Sequence, residues 1–375
     1  MSSHPLPPLA QIPAQIAAPS DYEAFARERM SIGAWAYING GAADELTAAE
    51  NSAAFSRLRL RQQVLADLRN ASTELELLGD TFDYPIFLAP IAYQKLAHPQ
   101  GELLTALGAS AMRAGMVVST QASTSLEDIA TAASAPLWFQ LYIQPDRSFT
   151  ENLVRRAEQA GYRALVLTVD APVNGVRNHE QRAGFRLPAE VDAVNLHGMR
   201  AVPEHTAQAG GSALFGSPLL ASAPTWKDVE WLVGLTRLPV VLKGITNAED
   251  AQRAIEFGAA GIIVSNHGGR TLDTMPATID ALPAVAKAVN RRIPILLDGG
   301  IRRGTDIFKA LALGATATLI GRPYIYGLAA AGAPGVAHVL HMLRTELEIT
   351  MALTGRPTLN DIDASALCSS SPPYA

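Results

Sequence analysis

The sequence is poor in cysteine and has no excess of positive charge. Cys368 is the single cysteine among 375 residues, and the formal net charge is −5. One cysteine excludes an internal disulfide and suits a reducing compartment. A chain without a basic field has little means of holding a polyanion, so we expect no nucleic-acid partner.

Long apolar runs are missing as well. No stretch reaches the roughly 18 apolar residues that a membrane helix requires, so we expect no membrane insertion. The N-terminal stretch MSSHPLPPLAQIPAQIAAPS lacks the basic region and apolar core of a secretory signal. These absences together predict a cytoplasmic protein.

Motifs of several common binding sites are also absent. The sequence has no strand–GxGxxG–helix unit and no GxxxxGK[ST] loop, which counts against a Rossmann dinucleotide site and a P-loop. It has neither an HExxH motif nor the ligand spacings of a structural zinc site, so we expect no metal.

What the sequence does contain is eight short apolar runs, separated by segments with helical signals. Near-continuous apolarity is typical of parallel strands that are covered on both faces. The helical signals include a start at Ser125, apolar spacing over Trp226–Leu235 and a start at Gly304. The eight runs are Pro85–Pro90, Met116–Thr120, Leu137–Tyr142, Ala164–Asp170, Pro239–Gly244, Gly261–Asn266, Pro294–Gly300 and Thr318–Pro323.

Eight strands that alternate with helices favour an α/β fold of the closed (β/α)8 TIM-barrel type over an open doubly wound sheet. The runs extend from residue 85 to residue 323, close to the roughly 250 residues typical of this barrel. Short helices are predicted over residues 20–56, before the barrel. Glu74–Asp83 is predicted as a hairpin that closes the barrel bottom, and Gly335–Leu353 as a long amphipathic helix.

The predicted domain organisation is one barrel domain over residues 21–354. A flexible segment, 1–20, precedes it and a tail, 355–375, follows it. The fourth and fifth runs start 75 residues apart, far more than the other neighbours. Long insertions in compact domains are usually lids or disordered segments. Residues 171–224 are therefore predicted to form a lid-like loop over the barrel mouth.

The residues that end the predicted strands are the ones that matter for chemistry, because barrel sites lie at the C-terminal ends of strands. Glycine-rich turns after the last two strands let backbone N–H groups converge on a phosphate. Arg302 and Arg322 follow these turns and can add charge-assisted hydrogen bonds. Either turn alone would equally suit a tight turn with a surface arginine, but the two together favour a phosphate site.

A lysine and four neutral polar residues end other strands. Lys243 alone would suit a strand-end ion pair, but a lysine inside a barrel mouth is costly to desolvate and calls for an anion. The anionic reduced form of a flavin would serve. Neutral hydrogen bonds to a heteroaromatic ring are available from Ser119, Gln140, Thr168 and Ser265.

The motif SNHGGRTLD follows the sixth run and contains His267 and Arg270. A histidine at a strand end can act as a base near neutral pH, and Asp170 is positioned to orient its ring. Arg270 offers a planar fork for a carboxylate, and Arg177 is a candidate second clamp. In isolation His267 would suit a structural role, whereas the charged strand ends around it favour catalysis.

These motifs carry a resemblance to a known family. From about Asp21 to Thr354 the chain resembles the FMN-dependent L-2-hydroxy-acid oxidases and dehydrogenases, the family of glycolate, lactate and hydroxymandelate oxidases and mandelate dehydrogenase. The matching motifs, in chain order, are LAPIAYQKLAHPQGE, FQLY, LTVDAP, VLKG, SNHGGRTLD, LDGGIRRGTD and IGRP.

The resemblance implies an FMN enzyme that oxidises an L-2-hydroxy acid to the 2-oxo acid. It implies reoxidation by O2 with release of H2O2, and a homotetramer. His267 would be the base with Asp170 as its partner. The other implied substrate contacts are Arg177, Arg270, Tyr142 and Tyr37. The implied FMN contacts are Pro90, Ile91, Ala92, Ser119, Gln140, Tyr142, Thr168, Lys243, Ser265, Asp298, Gly299, Gly300, Arg302, Gly321 and Arg322.

Three departures from the family pattern leave the acid itself open. Gln121 stands where the glycolate oxidases have tryptophan, Asn174 replaces a bulky apolar residue, and Tyr93 replaces the methionine of the plant type. The electron acceptor is open as well: alternatives are a dehydrogenase using quinone or cytochrome and an oxidative decarboxylation of the lactate-monooxygenase type. A non-catalytic flavin protein and an FMN-dependent isomerase are further alternatives, and the sequence leaves hydride and carbanion routes equally open.

Overall fold

The structure is a computed structural model, and it describes residues 5–200, 211–212 and 214–368. Three helices come first, as predicted for this part of the chain: α1 (Tyr22–Arg29), α2 (Ile32–Asn39) and α3 (Leu46–Arg57). A hairpin follows, formed by strands β1 (Leu75–Leu77) and β2 (Asp80–Phe82), which pair antiparallel. This is the hairpin that the sequence predicted over Glu74–Asp83.

Eight parallel strands then form a closed barrel, because the last strand pairs with the first. They lie over the eight predicted runs, so the predicted (β/α)8 fold is confirmed. Most differences fall at the C-terminal ends, where the apolar run continues into a loop. The strands are β3 (Ile86–Leu88), β4 (Gly115–Ser119), β5 (Leu137–Leu141), β6 (Ala164–Thr168), β7 (Val240–Ile245), β8 (Gly261–Val264), β9 (Ile295–Leu297) and β10 (Ala317–Ile320).

The helices on the outside of the barrel cover the strands. Trp226–Leu235 is helical over the predicted range, and Ser125 caps its helix by accepting a hydrogen bond from the backbone N–H of Asp128. The covering helices are α4 (Gly101–Ala111), α5 (Leu126–Ala132), α6 (Arg147–Gln159), α9 (Trp226–Leu235), α10 (Ala248–Glu256), α11 (Thr278–Val289), α12 (Gly304–Ala312) and α13 (Arg322–Leu353), while α7 (Asn178–Arg182) and α8 (Pro218–Ala221) belong to the loop after β6.

Helix α13 is longer than the predicted Gly335–Leu353. It begins directly after β10 and is interrupted at Ala331 and Gly332, where Gly332 has a φ of 61°. The two halves cross closely, since a Cβ at Gly335 would lie 2.0 Å from the carbonyl oxygen of Gly327. Among the described residues, no helix combines the length and apolarity needed to cross a bilayer.

The long loop after β6 carries helices α7 and α8 and a short 3-10 turn at Val194–Leu196. Residues 201–210 and 213 of the predicted lid lie outside the described residues. The same holds for residues 1–4 of the predicted N-terminal segment and for 369–375 of the predicted tail. The described part of the N-terminal segment contacts the barrel domain, where the backbone N–H of Leu9 donates to the carbonyl oxygen of Ala330 at 2.7 Å.

Side chains alternate along the barrel strands between an outer and an inner face. The inner face forms its own apolar cluster, in which Phe87 and Trp138 have ring centroids 4.8 Å apart. The hairpin closes this cluster from below, because the ring centroids of Phe82 and Phe87 are 4.7 Å apart. The barrel is therefore filled at its bottom, and only its C-terminal mouth is left for a site.

The packing at the barrel bottom predicts a large loss of stability for Phe87→Ala. The side chain is fully buried, and truncating a buried phenylalanine costs about 3–5 kcal/mol. Urea unfolding would measure the difference. The matched variant Phe215→Ala removes a phenyl ring that is 76% exposed and should change the free energy of unfolding by less than about 0.5 kcal/mol. Equal effects of the two variants would contradict the interpretation that apolar side chains pack the bottom of the barrel.

Candidate active site

A cavity of about 320 Å³ opens at the C-terminal ends of the barrel strands. Eighteen of the sequence-predicted site residues line it, which brings together strand ends that are far apart in the chain. Asp170 and Ser265 do not line the cavity but contact residues that do. The eighteen are Tyr37, Pro90, Ile91, Ala92, Ser119, Gln140, Tyr142, Thr168, Arg177, Lys243, His267, Arg270, Asp298, Gly299, Gly300, Arg302, Gly321 and Arg322.

His267 and Asp170 form a hydrogen-bonded pair, with 2.8 Å between Nδ1 and Oδ1. Burial alone would raise the pKa of Asp170, but the adjacent His267 and then Lys243 lower it below its ordinary value. An ionised carboxylate only accepts hydrogen bonds, so Nδ1 of His267 is the donor. The other ring nitrogen, Nε2, is then free to take up a proton.

The backbone of the SNHGGRTLD loop aims these side chains. His267, Gly268 and Gly269 have φ angles of 57°, 64° and 73°, so three successive residues are left-handed. Such a conformation is rare outside glycine. Glycine is also required by space at Gly269, where a Cβ would lie 2.5 Å from the backbone nitrogen of Ala48. The chain therefore turns sharply and brings His267 to the cavity.

Arg270 and Arg177 form a cationic pair on the same side. Nη1 of Arg270 donates to the carbonyl oxygens of Tyr37 at 2.7 Å and Gly40 at 2.6 Å. Nη1 of Arg177 is buried and has no hydrogen-bond partner within the described residues. Burial, and then the positive charge of Arg270, lower the pKa of Arg177 to about 10. Two guanidinium groups with free donors and mutual repulsion are suited to bind a carboxylate.

Glu180 is the charged cavity residue that the sequence interpretation missed. Its Oε1 lies 3.7 Å from Nη2 of Arg270 and 3.9 Å from Nε of Arg177, and it makes no hydrogen bond among the described residues. Glu180 therefore acts on the two arginines through its charge. Its spacing of three residues from Arg177 brings the two side chains together only because helix α7 forms in the predicted loop.

Two tyrosines complete this side of the cavity. Burial raises the pKa of Tyr37 to about 12, and burial also raises the pKa of Tyr142 well above its ordinary value. Both hydroxyl groups therefore stay protonated near neutral pH. The ring of Tyr37 lies under Arg270, with 5.2 Å between the guanidinium carbon and the ring centroid, a distance at which a cation is attracted to the ring face.

Lys243 lies at the floor of the cavity and is only 4% exposed. Burial would lower its pKa, but Asp298 and Asp170 raise it, so the ammonium group stays charged. Its Nζ lies 3.2 Å from Oδ2 of Asp298 and donates to Oγ of Ser265 at 2.9 Å. Ser265 is fully buried behind Lys243 and does not reach the cavity surface.

The loops after β9 and β10 form a polar end of the cavity. Arg322 donates to the carbonyl oxygens of Gly268 and Gly40, both at 3.1 Å. Its Nε is buried without a partner in the described part of the chain. Burial, and then Arg270, lower the pKa of Arg322 to about 10. Helix α13 begins at Arg322, so its N-terminal N–H groups lie at the same end.

A closed (β/α)8 barrel whose mouth gathers such charged side chains defines a barrel enzyme. The model of the FMN-dependent dehydrogenase family matches residues 26–369 of the chain. The chain belongs to this family and is an FMN-dependent oxidoreductase.

Individual relatives agree with the family match. An L-lactate oxidase from Nostoc sp. is 48% identical over 353 residues, which cover 92% of this chain and 96% of the relative. Glycolate oxidase from Spinacia oleracea is 45% identical over 346 residues, covering 92% and 94% of the two chains. A solved structure of mandelate oxidase with benzoyl-formic acid superposes with a TM-score of 0.84 at 39% identity, covering 94% of this chain and 98% of that one.

The residues around the cavity fit FMN. Ser119, Gln140 and Thr168 form a neutral hydrogen-bonded row, in which Oγ of Ser119 lies 3.3 Å from Oε1 of Gln140, and Nε2 of Gln140 lies 3.1 Å from Oγ1 of Thr168. Lys243 supplies a buried cation beside this row. The unpartnered Nε of Arg322 supplies a donor for an anion. Neutral ring contacts, a cation and an anion-binding end are what a flavin mononucleotide requires.

The position of Glu180 predicts tighter anion binding in Glu180→Gln. The change keeps the size of the side chain but removes a negative charge beside two arginines, an effect on the order of 1 kcal/mol after solvent screening. We expect oxalate to bind the FMN-loaded variant about fivefold more tightly, measured by titrating the flavin absorbance. Glu190→Gln removes an exposed charge from the same loop and should leave the affinity unchanged. Weaker oxalate binding to Glu180→Gln would mean that Glu180 holds the arginines in place.

Proposed function

We propose that the protein oxidises an L-2-hydroxy acid to the corresponding 2-oxo acid and uses O2 as electron acceptor. The observation that carries the proposal is the His267–Asp170 pair, at 2.8 Å, beside the arginine pair in one cavity. A base next to two arginines that can bind a carboxylate matches the two features that all 2-hydroxy acids share, a carboxylate and a transferable proton. The names of the relatives, which are lactate, glycolate and mandelate oxidases, support the same substrate class.

Substrate binding is assigned to the arginine pair and the two tyrosines. Arg270 is held by two backbone carbonyls through Nη1, which leaves its remaining donors for a carboxylate. Arg177 contributes the buried Nη1 that has no partner in the described part of the chain. The protonated hydroxyl groups of Tyr37 and Tyr142 add neutral hydrogen bonds. Together these groups orient the acid and hold its reacting carbon close to His267.

Proton transfer is assigned to His267. Nε2 takes a proton from the substrate, and the ring becomes an imidazolium that the ionised Asp170 stabilises at Nδ1. Asp170 also fixes the ring orientation, so that Nε2 is the nitrogen presented to the cavity. The charge on Asp170 is maintained because His267 and Lys243 lower its pKa.

FMN is held by the inner strand ends and by the loops after β9 and β10. The backbone of Pro90, Ile91 and Ala92 lines one side, and Lys243 places a positive charge at the cavity floor. The phosphate group of FMN is bound by Arg302, Arg322 and the glycines of both loops. When bound, FMN would supply the two-electron redox chemistry of the oxidation, with O2 as the final acceptor and H2O2 as its product.

The proposal includes a homotetramer in the cytoplasm. The tetramer rests on the family relationship, and the compartment on the single cysteine, which suits a reducing environment. Sedimentation of the FMN-loaded protein tests the homotetramer, and a monomeric species at micromolar concentration would contradict it.

His267→Ala is expected to keep FMN but lose its reduction by substrate. The variant removes the base, and general-base catalysis contributes about 10²–10⁴-fold. Anaerobic stopped-flow with L-lactate, glycolate and L-mandelate would measure bleaching of the flavin band. His341→Ala, at an exposed position on α13, is the matched control and should reduce at the wild-type rate. Normal bleaching in His267→Ala would remove His267 from the mechanism.

The choice of O2 as acceptor predicts one H2O2 for each acid oxidised. Oxygen uptake, H2O2 and 2-oxo acid would be measured together with the best acid. A turnover with quinone analogues or cytochrome c far above that with O2 would identify a dehydrogenase instead. A decarboxylated product in place of the 2-oxo acid would identify a monooxygenase.

A further inference from the structure

One wall of the cavity has a different character from the rest. It is formed by Tyr93, Gln121 and Asn174, which come from the loops after β3, β4 and β6. In the closed ring β4 lies opposite β8, so Gln121 faces the cavity from across the mouth relative to His267. We call these three residues the neutral wall.

The side-chain polar groups of the neutral wall have no partner in the part of the chain that the structure describes. Among the described residues, the side-chain polar atoms of Tyr93, Gln121 and Asn174 make no hydrogen bond. Other groups hold the loops: the N–H of Tyr93 donates to the carbonyl oxygen of Gln121 at 3.1 Å, and the N–H of Gln121 donates to Oγ of Ser119 at 3.1 Å. Gln140 provides a contrast, because its amide is already bonded to its neighbours Ser119 and Thr168. The neutral wall therefore offers donors and acceptors to a ligand.

The neutral wall also carries no charge. No cavity-lining residue described in the loops after β3 and β4 is charged, and Asn174 is the neutral member from the loop after β6, which also carries Arg177 and Glu180. Burial, and then the negative charge of Asp192, raise the pKa of Tyr93, so its phenol stays protonated. The cations of the cavity are side chains outside the wall, namely Arg177, Arg270, Lys243 and the arginines of the cofactor end. A second carboxylate next to the neutral wall would gain no cation from the wall itself, and the negative charge of Asp192 acts on Tyr93.

We propose that the neutral wall receives the side chain of the 2-hydroxy acid and selects acids that carry a neutral hydrogen-bonding group there, such as a hydroxyl or a carboxamide. This inference rests on the proposed function. An alkyl side chain would displace water from the wall and leave amide groups unpaired, which is unfavourable. A carboxylate side chain would lose its hydration without gaining a counter-ion.

Two pairs of acids of nearly equal size test the selection. L-glycerate and L-2-hydroxybutanoate differ by a hydroxyl in place of a methyl group. The 4-amide of L-malate and L-malate itself differ by an amide in place of a carboxylate. The FMN-loaded enzyme should show kcat/KM at least about tenfold higher for the first member of each pair, with H2O2 as readout. Equal or inverted values in either pair would overturn the inference.

Gln121→Leu connects the selection to the neutral wall. The change keeps the approximate size of the side chain and removes its amide. The ratio of kcat/KM for L-glycerate over L-2-hydroxybutanoate should fall by about tenfold, while oxidation of L-2-hydroxybutanoate persists. Gln100→Leu makes the same change at an exposed position before α4 and should keep the wild-type ratio. An unchanged ratio in Gln121→Leu would overturn the role of Gln121.

Binding of the 2-oxo acids separates this inference from the proposed function. Hydroxypyruvate and 2-oxobutanoate would be titrated against the flavin absorbance of the resting enzyme, which requires no turnover. Tighter binding of hydroxypyruvate, by about tenfold, supports the neutral wall even if no hydroxy acid reduces the flavin. In that case the proposed function alone fails. Equal binding of the two 2-oxo acids, together with turnover of hydroxy acids, overturns the inference and leaves the function intact.

Discussion

The parallel pairing that closes β10 onto β3 is the constraint on which the site depends. In a strand, residues two positions apart face the same way, so closure fixes which side chains point inward. Trp138, Val241 and Ile263 belong to the inner apolar cluster, and two positions later the chain reaches Gln140, Lys243 and Ser265. The apolar layer fills the barrel bottom, and the next layer is polar. A slip of one residue in any strand would exchange these faces, so core and site are stabilised by the same register.

Charge at the mouth is arranged so that each cation is held by the protein yet stays available to an anion. Lys243 is neutralised in part by Asp298, and Glu180 lies near both Arg177 and Arg270. Arg270 and Arg322 are held mainly by backbone carbonyl oxygens, which carry partial charge and do not compete as ions. Desolvating these groups is costly. The cost is offset when an anionic cofactor and an anionic substrate bind, which couples stability of the mouth to occupancy.

Most of the fold was predictable from sequence, because parallel barrel strands are buried on both faces and appear as uninterrupted apolar runs. Strand starts agree with the predicted runs to within one residue, whereas several runs continue two or three residues past the strand into the loop that carries the polar residues. What escaped prediction depends on contacts across the chain or on backbone torsions. Glu180 joins the arginines only because α7 forms inside a long loop, Lys243 covers Ser265, and the left-handed φ of His267 has no signature in its residue type. The first half of α13, by contrast, did have a signature in the sequence, because Pro323 suits the first turn of a helix.

The charged and the neutral side chains of the cavity come mainly from different loops around the ring of strands. The loops after β8, β9 and β10 carry His267, Arg270, Arg302 and Arg322, and the loop after β6 adds Arg177. In the proposed function these charged groups serve what all 2-hydroxy acids share, a carboxylate and a transferable proton, and the phosphate of the cofactor. The loops after β3 and β4 contribute neutral side chains, and in the proposed binding mode a substrate presents to them only the group that distinguishes one acid from another. Relatives named for lactate, glycolate and mandelate are compatible with this division, because loops on one side of a barrel can change without altering the register that positions the other side.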